Sequence, residues 1–117
     1  MLVLDATALE ALFHGYRPLS ALWHRADEGL VELGFPALAI VEAGTELEAP
    51  ASAWDSVLWP PAISVLPLTE RAAVEISAWS GTLAARHALW EARHMNCPLV
   101  TRQPELYAPG QVDIQVV

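Results

Sequence analysis

The chain has 117 residues, of which 54% are hydrophobic, and this length suffices for one folded core but not for two. Its 14 acidic residues outnumber its 6 basic residues, all arginines, so the formal net charge is −8. This balance argues against tight, unaided binding of nucleic acid, unless divalent cations or a local arginine cluster reverse the field. No apolar run approaches the roughly 18 residues of a membrane span. The single cysteine, Cys97, favours a reducing, cytoplasmic setting without disulfides.

The chain opens with a short apolar run, Leu2–Leu4, that ends at Asp5. Such a run is too short for a helix and is typical of a buried parallel strand. The segment Ala6–Phe13 follows at once with apolar residues at helical spacing, and Gly15 is suited to end that helix. Ligands of open α/β sheets bind at the carboxyl ends of the strands, so Asp5 is the first candidate site residue.

Strand-like and helix-like segments then alternate along the chain. A second helix begins near Pro18 and ends before Gly29. The other predicted helices are Ala37–Leu47, Thr69–Trp79 and Leu83–Met95, and the other predicted strands are Leu30–Leu33, Ile63–Leu66, Pro98–Thr101 and Val112–Val117. The Pro- and Trp-containing segment 49–62 is predicted to be a loop with one helical turn around Trp54–Leu58, and Gln103–Tyr107 a loop or short turn.

This alternation predicts the fold class. Strands that follow helices in this way form a parallel sheet covered on both faces. We therefore predict a single domain over residues 1–117, a three-layer α/β/α sandwich with a central parallel sheet of about five strands.

Several segments of the sequence resemble those of PIN domains, the metal-dependent ribonuclease fold found in VapC-type toxins. They are Asp5-Ala6-Thr7-Ala8, the helix start Pro36–Glu42, the late strand Cys97–Gln103 and the ending Val112–Val117. The resemblance covers nearly the whole chain in the right order, and the segments together are more specific than any one of them. It implies a cluster of carboxylates from four positions that holds Mg²⁺ or Mn²⁺, which activates water for RNA cleavage.

Carried over residue by residue, the resemblance gives Asp5 and Glu42 both a catalytic and a metal-binding role. The fourth acidic position, two residues after Thr101, is Gln103, and the third, near the start of the last helix, is Ala85. Two carboxylates with carbonyls and waters can still hold Mg²⁺ weakly. The resemblance therefore implies a ribonuclease with weak or lost activity, with Mg²⁺ or Mn²⁺ as its cofactor and RNA as its substrate only if it is active.

Other residues are candidates to support this reduced site. Glu46 lies one helical turn after Glu42 and can reach a metal, although an exposed helix position explains it equally well. Glu91 shares a helix face with His87 and His94, a spacing that can bind a transition metal. We favour the simpler interpretation of those three residues, a solvated face with a His–Glu pair.

Two hydroxyl residues complete the candidate set. Thr7 and Thr101 stand where the resembled family has small hydroxyls around the metal, and Gln103 replaces an acid beside them. Capping of a turn explains both threonines without a metal.

A second hypothesis is a non-catalytic PIN-like domain that forms a homodimer or binds an antitoxin-like protein partner. Asp5 would then remain as the N-cap of the first helix. Trp54 and Trp59, in the Pro-rich segment, are its candidate contact surface. A phospho-accepting receiver domain is weaker, because it requires further acids after the first strand and a late lysine, and the chain has no lysine. Both main hypotheses require Asp5 and Glu42 to face a shared hollow above the sheet edge.

Overall fold

Five short strands form one wholly parallel sheet with helices on both faces in the computed structural model, which describes residues 1–117. The strands are β1 (Leu2–Leu4), β2 (Leu33–Pro36), β3 (Ile63–Leu66), β4 (Leu99–Thr101) and β5 (Ile114–Val116). The helices are α1 (Ala6–Phe13), α2 (Arg17–Asp27), α3 (Ala37–Leu47), α4 (Ala51–Val57), α5 (Glu70–Ile76) and α6 (Leu83–Met95), and a 3₁₀ turn covers Pro104–Leu106. The predicted three-layer α/β/α architecture is confirmed.

The sheet is ordered β3-β2-β1-β4-β5, so the first strand lies at its centre. Val3 of β1 pairs with Gly34 of β2 on one side and with Leu99 of β4 on the other. The chain builds outward from β1 to β3 and then crosses back to add β4 and β5 on the opposite side. The point at which the strand order reverses lies between β1 and β4, where open α/β sheets form a crevice at their carboxyl edge. Asp5 directly follows β1 at this edge.

Side chains on the two faces of the sheet pack into separate parts of the core. Leu4, Phe35 and Val100 join the cluster that α1, α2 and α3 cover, whereas Val3 and Leu99 face α6. α6 packs on that second face mainly through alanines: Ala85, Ala88 and Ala92. The central strands are buried on both faces, which is why they read as short continuous apolar runs in the sequence.

The second strand is Leu33–Pro36, and the predicted strand Leu30–Leu33 is wrong. Leu30 is 64% exposed, whereas Phe35 is fully buried. The sequence Gly34-Phe35-Pro36 is typical of a turn, but these residues lie in the sheet. All four residues of β2 are buried, so burial in the tertiary structure overrides the local turn preference.

Gly34 lies in the strand where two neighbouring side chains approach its backbone closely. A Cβ at this position would lie 2.8 Å from Leu66 Cδ1 and 2.9 Å from Met1 Sδ. A glycine within a strand often marks such a close approach of neighbouring groups. The glycine that suggested a turn therefore lies at a close approach of two side chains in the sheet.

Three further boundaries differ from the predicted ones. The segment predicted as a loop with one turn contains the helix α4. α5 ends at Ile76 and does not reach Trp79, and β5 covers only Ile114–Val116 of the predicted Val112–Val117. The predicted end of α6 is correct, because Asn96 adopts the left-handed conformation with φ of 51°. None of the helices combines the length and the apolarity that crossing a membrane requires.

Candidate functional site

Asp5 is the N-cap of α1 and is buried at the carboxyl edge of the sheet, with an exposed fraction of 1%. Its Oδ1 accepts hydrogen bonds from the Thr7 hydroxyl at 2.6 Å and from the Ala8 backbone N–H at 3.0 Å. Its Oδ2 accepts a hydrogen bond from the Tyr107 hydroxyl at 2.6 Å. Both oxygens of this buried carboxylate are therefore occupied by donors of the chain itself. The bond to Ala8 is the helix-capping contact expected of Asp5.

Tyr107 is the site residue that sequence analysis missed. It follows the 3₁₀ turn, is 7% exposed, and packs in the cluster that contains Val3 and Ala85. Burial, followed by the charge of Asp5, raises the pKa of the Tyr107 hydroxyl far above its ordinary value, so it remains a donor throughout the physiological range. Ala85 marks the third acidic position of the resembled family. That small residue belongs to the same apolar cluster as the tyrosine ring.

No sequence signal points to this contact. The residues that it joins, Asp5 and Tyr107, are 102 positions apart, and the tyrosine follows a segment without periodic pattern. Only the placement of β4 beside β1 brings the segment after β4 to the end of β1.

Thr7 and Thr101 belong to the same network. Thr7 Oγ1 donates to Asp5, accepts from the Arg102 backbone N–H at 2.9 Å, and lies 3.2 Å from Thr101 Oγ1. Thr101 Oγ1 accepts from the Gln103 backbone N–H at 3.0 Å. The two hydroxyls thus tie the segment after β4 to the start of α1. Gln103 takes part through its backbone, and its side chain is exposed.

Glu42 belongs to a group of four carboxylates on adjoining parts of α1 and α3, which we call the acidic face: Asp5, Glu10, Glu42 and Glu46. Partial burial raises the pKa of Glu42, and the charges of Asp5 and Glu46 raise it further. Partial burial also raises the pKa of Glu10, as do Glu46, Glu42 and Asp5, against a smaller opposing effect of His14. These mutual charge effects are expected of carboxylates that face one region. Glu10 was missed because the sequence does not reveal which side of α1 faces α3.

Glu91 lies elsewhere, in the interior of the protein. It is buried on α6 together with His87, and His87 Nε2 lies 3.2 Å from Glu91 Oε1. The predicted pair is present, but its predicted solvated position is wrong, because α6 packs against the sheet, α3 and α5. His94 is exposed and stacks on Trp90 with ring centroids 3.6 Å apart. The three residues therefore do not converge on one point.

The donor set does not fit a divalent-metal site of the resembled family. No group of three or more His, Cys, Asp or Glu side chains is placed to hold a metal ion. Both oxygens of Asp5 already accept hydrogen bonds, and Ala85 at the third acidic position packs in a cluster with Tyr107. Mg²⁺ requires oxygen ligands that are free to coordinate. In this arrangement, Glu42 and Glu46 lack the further ligands that a divalent-metal site of this kind requires.

The two loop tryptophans have different environments. Trp54, on α4, is half-buried and packs against Phe13 with ring centroids 4.6 Å apart, and its place in a contact surface stays a prediction. Trp59, just beyond α4, is 81% exposed. An exposed fraction this large is unusual for the bulkiest apolar side chain and keeps Trp59 as the candidate contact residue.

A scan of the sequence against protein-family models gives no match, and neither does a search of the curated proteins. The resemblance to PIN domains therefore remains a hypothesis that depends on the residues and the fold.

Tyr107→Phe is expected to lower the free energy of unfolding by about 1–3 kcal/mol, because it leaves Asp5 Oδ2 buried without its donor. Guanidinium chloride denaturation followed by circular dichroism measures this change. The matched control is Tyr16→Phe, whose ring contacts the Arg102 guanidinium and whose hydroxyl bonds to no group of the chain. Equal, small effects of the two substitutions would contradict a structural role for the Tyr107 hydroxyl.

Glu42→Gln is expected to stabilise the folded chain at pH 7 by about a few tenths of a kcal/mol, since the exposed site is screened by solvent. The pKa of Glu42 is raised on folding, so the unfavourable charge is absent at low pH and develops as the pH rises through that pKa. The gain should therefore vanish near pH 4 and shrink in high salt. Glu32→Gln, an exposed acid at the opposite end of β2, is the control. An equal gain there would show that only net charge matters.

Proposed function

We propose that this chain is a PIN-like domain that has lost ribonuclease activity and acts as a protein-binding module. The observation that carries this proposal is the hydrogen bond from the Tyr107 hydroxyl to the Asp5 carboxylate, at 2.6 Å. It lies at the crevice where a parallel sheet of this order would hold a ligand. The fold is compatible with a PIN-like domain, and the contacts of Asp5 bear on activity.

A metal ion that took a hydrogen-bonded position on Asp5 would have to displace a donor. Hydrogen bonds to a charged group each contribute roughly 1.5–3 kcal/mol, and Asp5 accepts from Thr7, Ala8 and Tyr107. Displacement would also leave the buried Tyr107 hydroxyl without a partner. With Ala85 and Gln103 at the other acidic positions, few new ligand contacts would offset that loss. Both the loss of these hydrogen bonds and the scarcity of new ligands therefore disfavour metal binding at Asp5.

Weak metal-dependent cleavage of RNA is the second candidate function. The acidic face favours it, because the pKa values of Glu42 and Glu10 are raised by partial burial and then by the charges of neighbouring acids, and a bound cation would relieve that repulsion. The chain's own residues would then contribute Glu42 and Glu46 from one face of α3, with Asp5 released from Tyr107. One assay separates the two candidates.

The purified chain is expected to cleave single-stranded RNA in Mn²⁺ or Mg²⁺ no faster than Asp5→Asn does. Calorimetric titration with Mn²⁺ is expected to show no heat of binding. Glu42→Gln is the companion variant, because it removes an exposed acid and leaves the helix cap of Asp5 intact. Cleavage that requires Mn²⁺ and disappears in both variants would contradict the proposal and support the second candidate.

For the protein-binding role, we propose that Trp59 lies in the contact surface of a homodimer; an antitoxin-like protein is the alternative occupant. Its ring is exposed at the end of α4, beside a prolyl segment that keeps the loop stiff. Large exposed aromatic side chains are concentrated in protein–protein interfaces. A symmetric dimer would bury the same residue from both copies.

Trp59→Ala is expected to weaken self-association by at least about tenfold in Kd, in line with the loss of an aromatic anchor. Sedimentation equilibrium over a range of concentrations measures it. Leu30→Ala is the control, because Leu30 is also exposed but lies after α2. A wild-type chain that stays monomeric at high concentration, or a dimer indifferent to Trp59→Ala, would contradict the homodimer.

A further inference from the structure

The N-terminus of α3 is capped by a side chain from another helix. Its own N-cap residue is Pro36, which offers no side-chain acceptor. The Leu38 N–H belongs to the first turn and has no acceptor within the helix. His87 of α6 supplies one, because its Nδ1 accepts from the Leu38 N–H at 3.3 Å.

This contact fixes the protonation of the His87 ring. A nitrogen that accepts from a backbone N–H carries no proton, so Nδ1 is bare and Nε2 holds the hydrogen. Nε2 then donates to Glu91 Oε1, at 3.2 Å. The ring is fully buried, and every polar atom of it is paired. The cap works only while the imidazole is neutral.

The groups that face His87 come from three parts of the chain. α6 presents Glu91, the one charged side chain that affects its pKa, and α3 presents the Leu38 amide. The segment after β3 presents the Pro67 carbonyl, which favours the protonated ring, as Glu91 does. Burial outweighs both and lowers the pKa of His87.

We propose that His87 is a pH-sensitive cap that holds the start of α3 when its ring is neutral and releases it when Nδ1 takes up a proton from solvent. A protonated Nδ1 is a donor that confronts the Leu38 N–H, another donor, so their hydrogen bond is lost. α3 carries Glu42 and Glu46, so release of the start of α3 also affects the part of the acidic face that lies on this helix. This inference does not depend on whether the chain cleaves RNA.

The direction of the pH effect follows from linkage. The pKa of His87 in the closed state lies below its ordinary value of 6.5, so the released state binds a proton more readily. The cap is therefore at full strength above about pH 6.5 and weakens as the pH falls below it. The raised pKa of Glu42 acts in the opposite sense, because protonating that carboxylate at lower pH relieves repulsion on α3.

Amide hydrogen exchange at Leu38, expressed as a protection factor from pH 7.5 to pH 5, tests the proposal in the intact chain. Protection at Leu38 is expected to fall roughly three- to tenfold on acidification, the range of one net hydrogen bond. Protection at the Leu9 amide, which bonds to the Asp5 carbonyl in α1, should stay constant. Constant protection at Leu38, or a parallel loss at both amides, would overturn the proposal.

Two variants isolate the ring proton. His87→Asn places an amide oxygen near the position of Nδ1 without a titrating group, so protection at Leu38 should no longer depend on pH. Glu91→Gln keeps an acceptor for Nε2 but removes the charge that favours the protonated ring, so the fall should move to lower pH. If His87→Asn does not fold, Glu91→Gln still decides: an unchanged pH profile there would overturn the proposal.

Discussion

The structure depends on how it accommodates one buried carboxylate. Asp5 follows the central strand and caps α1, so it sits where the sheet, the first helix and the segment after β4 meet. A buried charge without partners is strongly destabilising, and here three donors surround it: Thr7, Ala8 and Tyr107. These hydrogen bonds stabilise the fold and hold both carboxylate oxygens in place. A role of Asp5 as a metal ligand would compete with them.

The remaining acids of this region are not satisfied in the same way. Glu10, Glu42 and Glu46 project from α1 and α3 around Asp5 with no cation near enough to pair with them. Partial burial and the neighbouring charges both disfavour the charged forms of Glu10 and Glu42, so these carboxylates lower the stability of the fold at neutral pH.

The parts of the fold that local patterns encode could be predicted from the sequence. The apolar run before Asp5 and the helical spacing of α1, α3 and α6 predicted the parallel α/β sandwich, whereas the resemblance to PIN domains implied the candidate pair Asp5 and Glu42. The strand β2 was misplaced because Gly34 and Pro36 prefer turns locally and are held in the sheet by tertiary packing. Whether two residues distant in sequence touch was not predictable: neither the Tyr107 contact nor the burial of His87 leaves a local trace.

These two long-range contacts hold the starts of two different helices at the carboxyl edge of the sheet, where the candidate site lies. Tyr107 reaches Asp5 from beyond β4 and fixes the start of α1, while His87 reaches Leu38 from α6 and fixes the start of α3. The Tyr107 hydroxyl stays protonated across the physiological range, because its pKa is raised by burial and by the charge of Asp5. The His87 ring titrates below neutrality, since burial lowers its pKa. The edge is therefore built from one permanent contact and one that depends on pH, so acidification acts on α3 while α1 keeps its anchor.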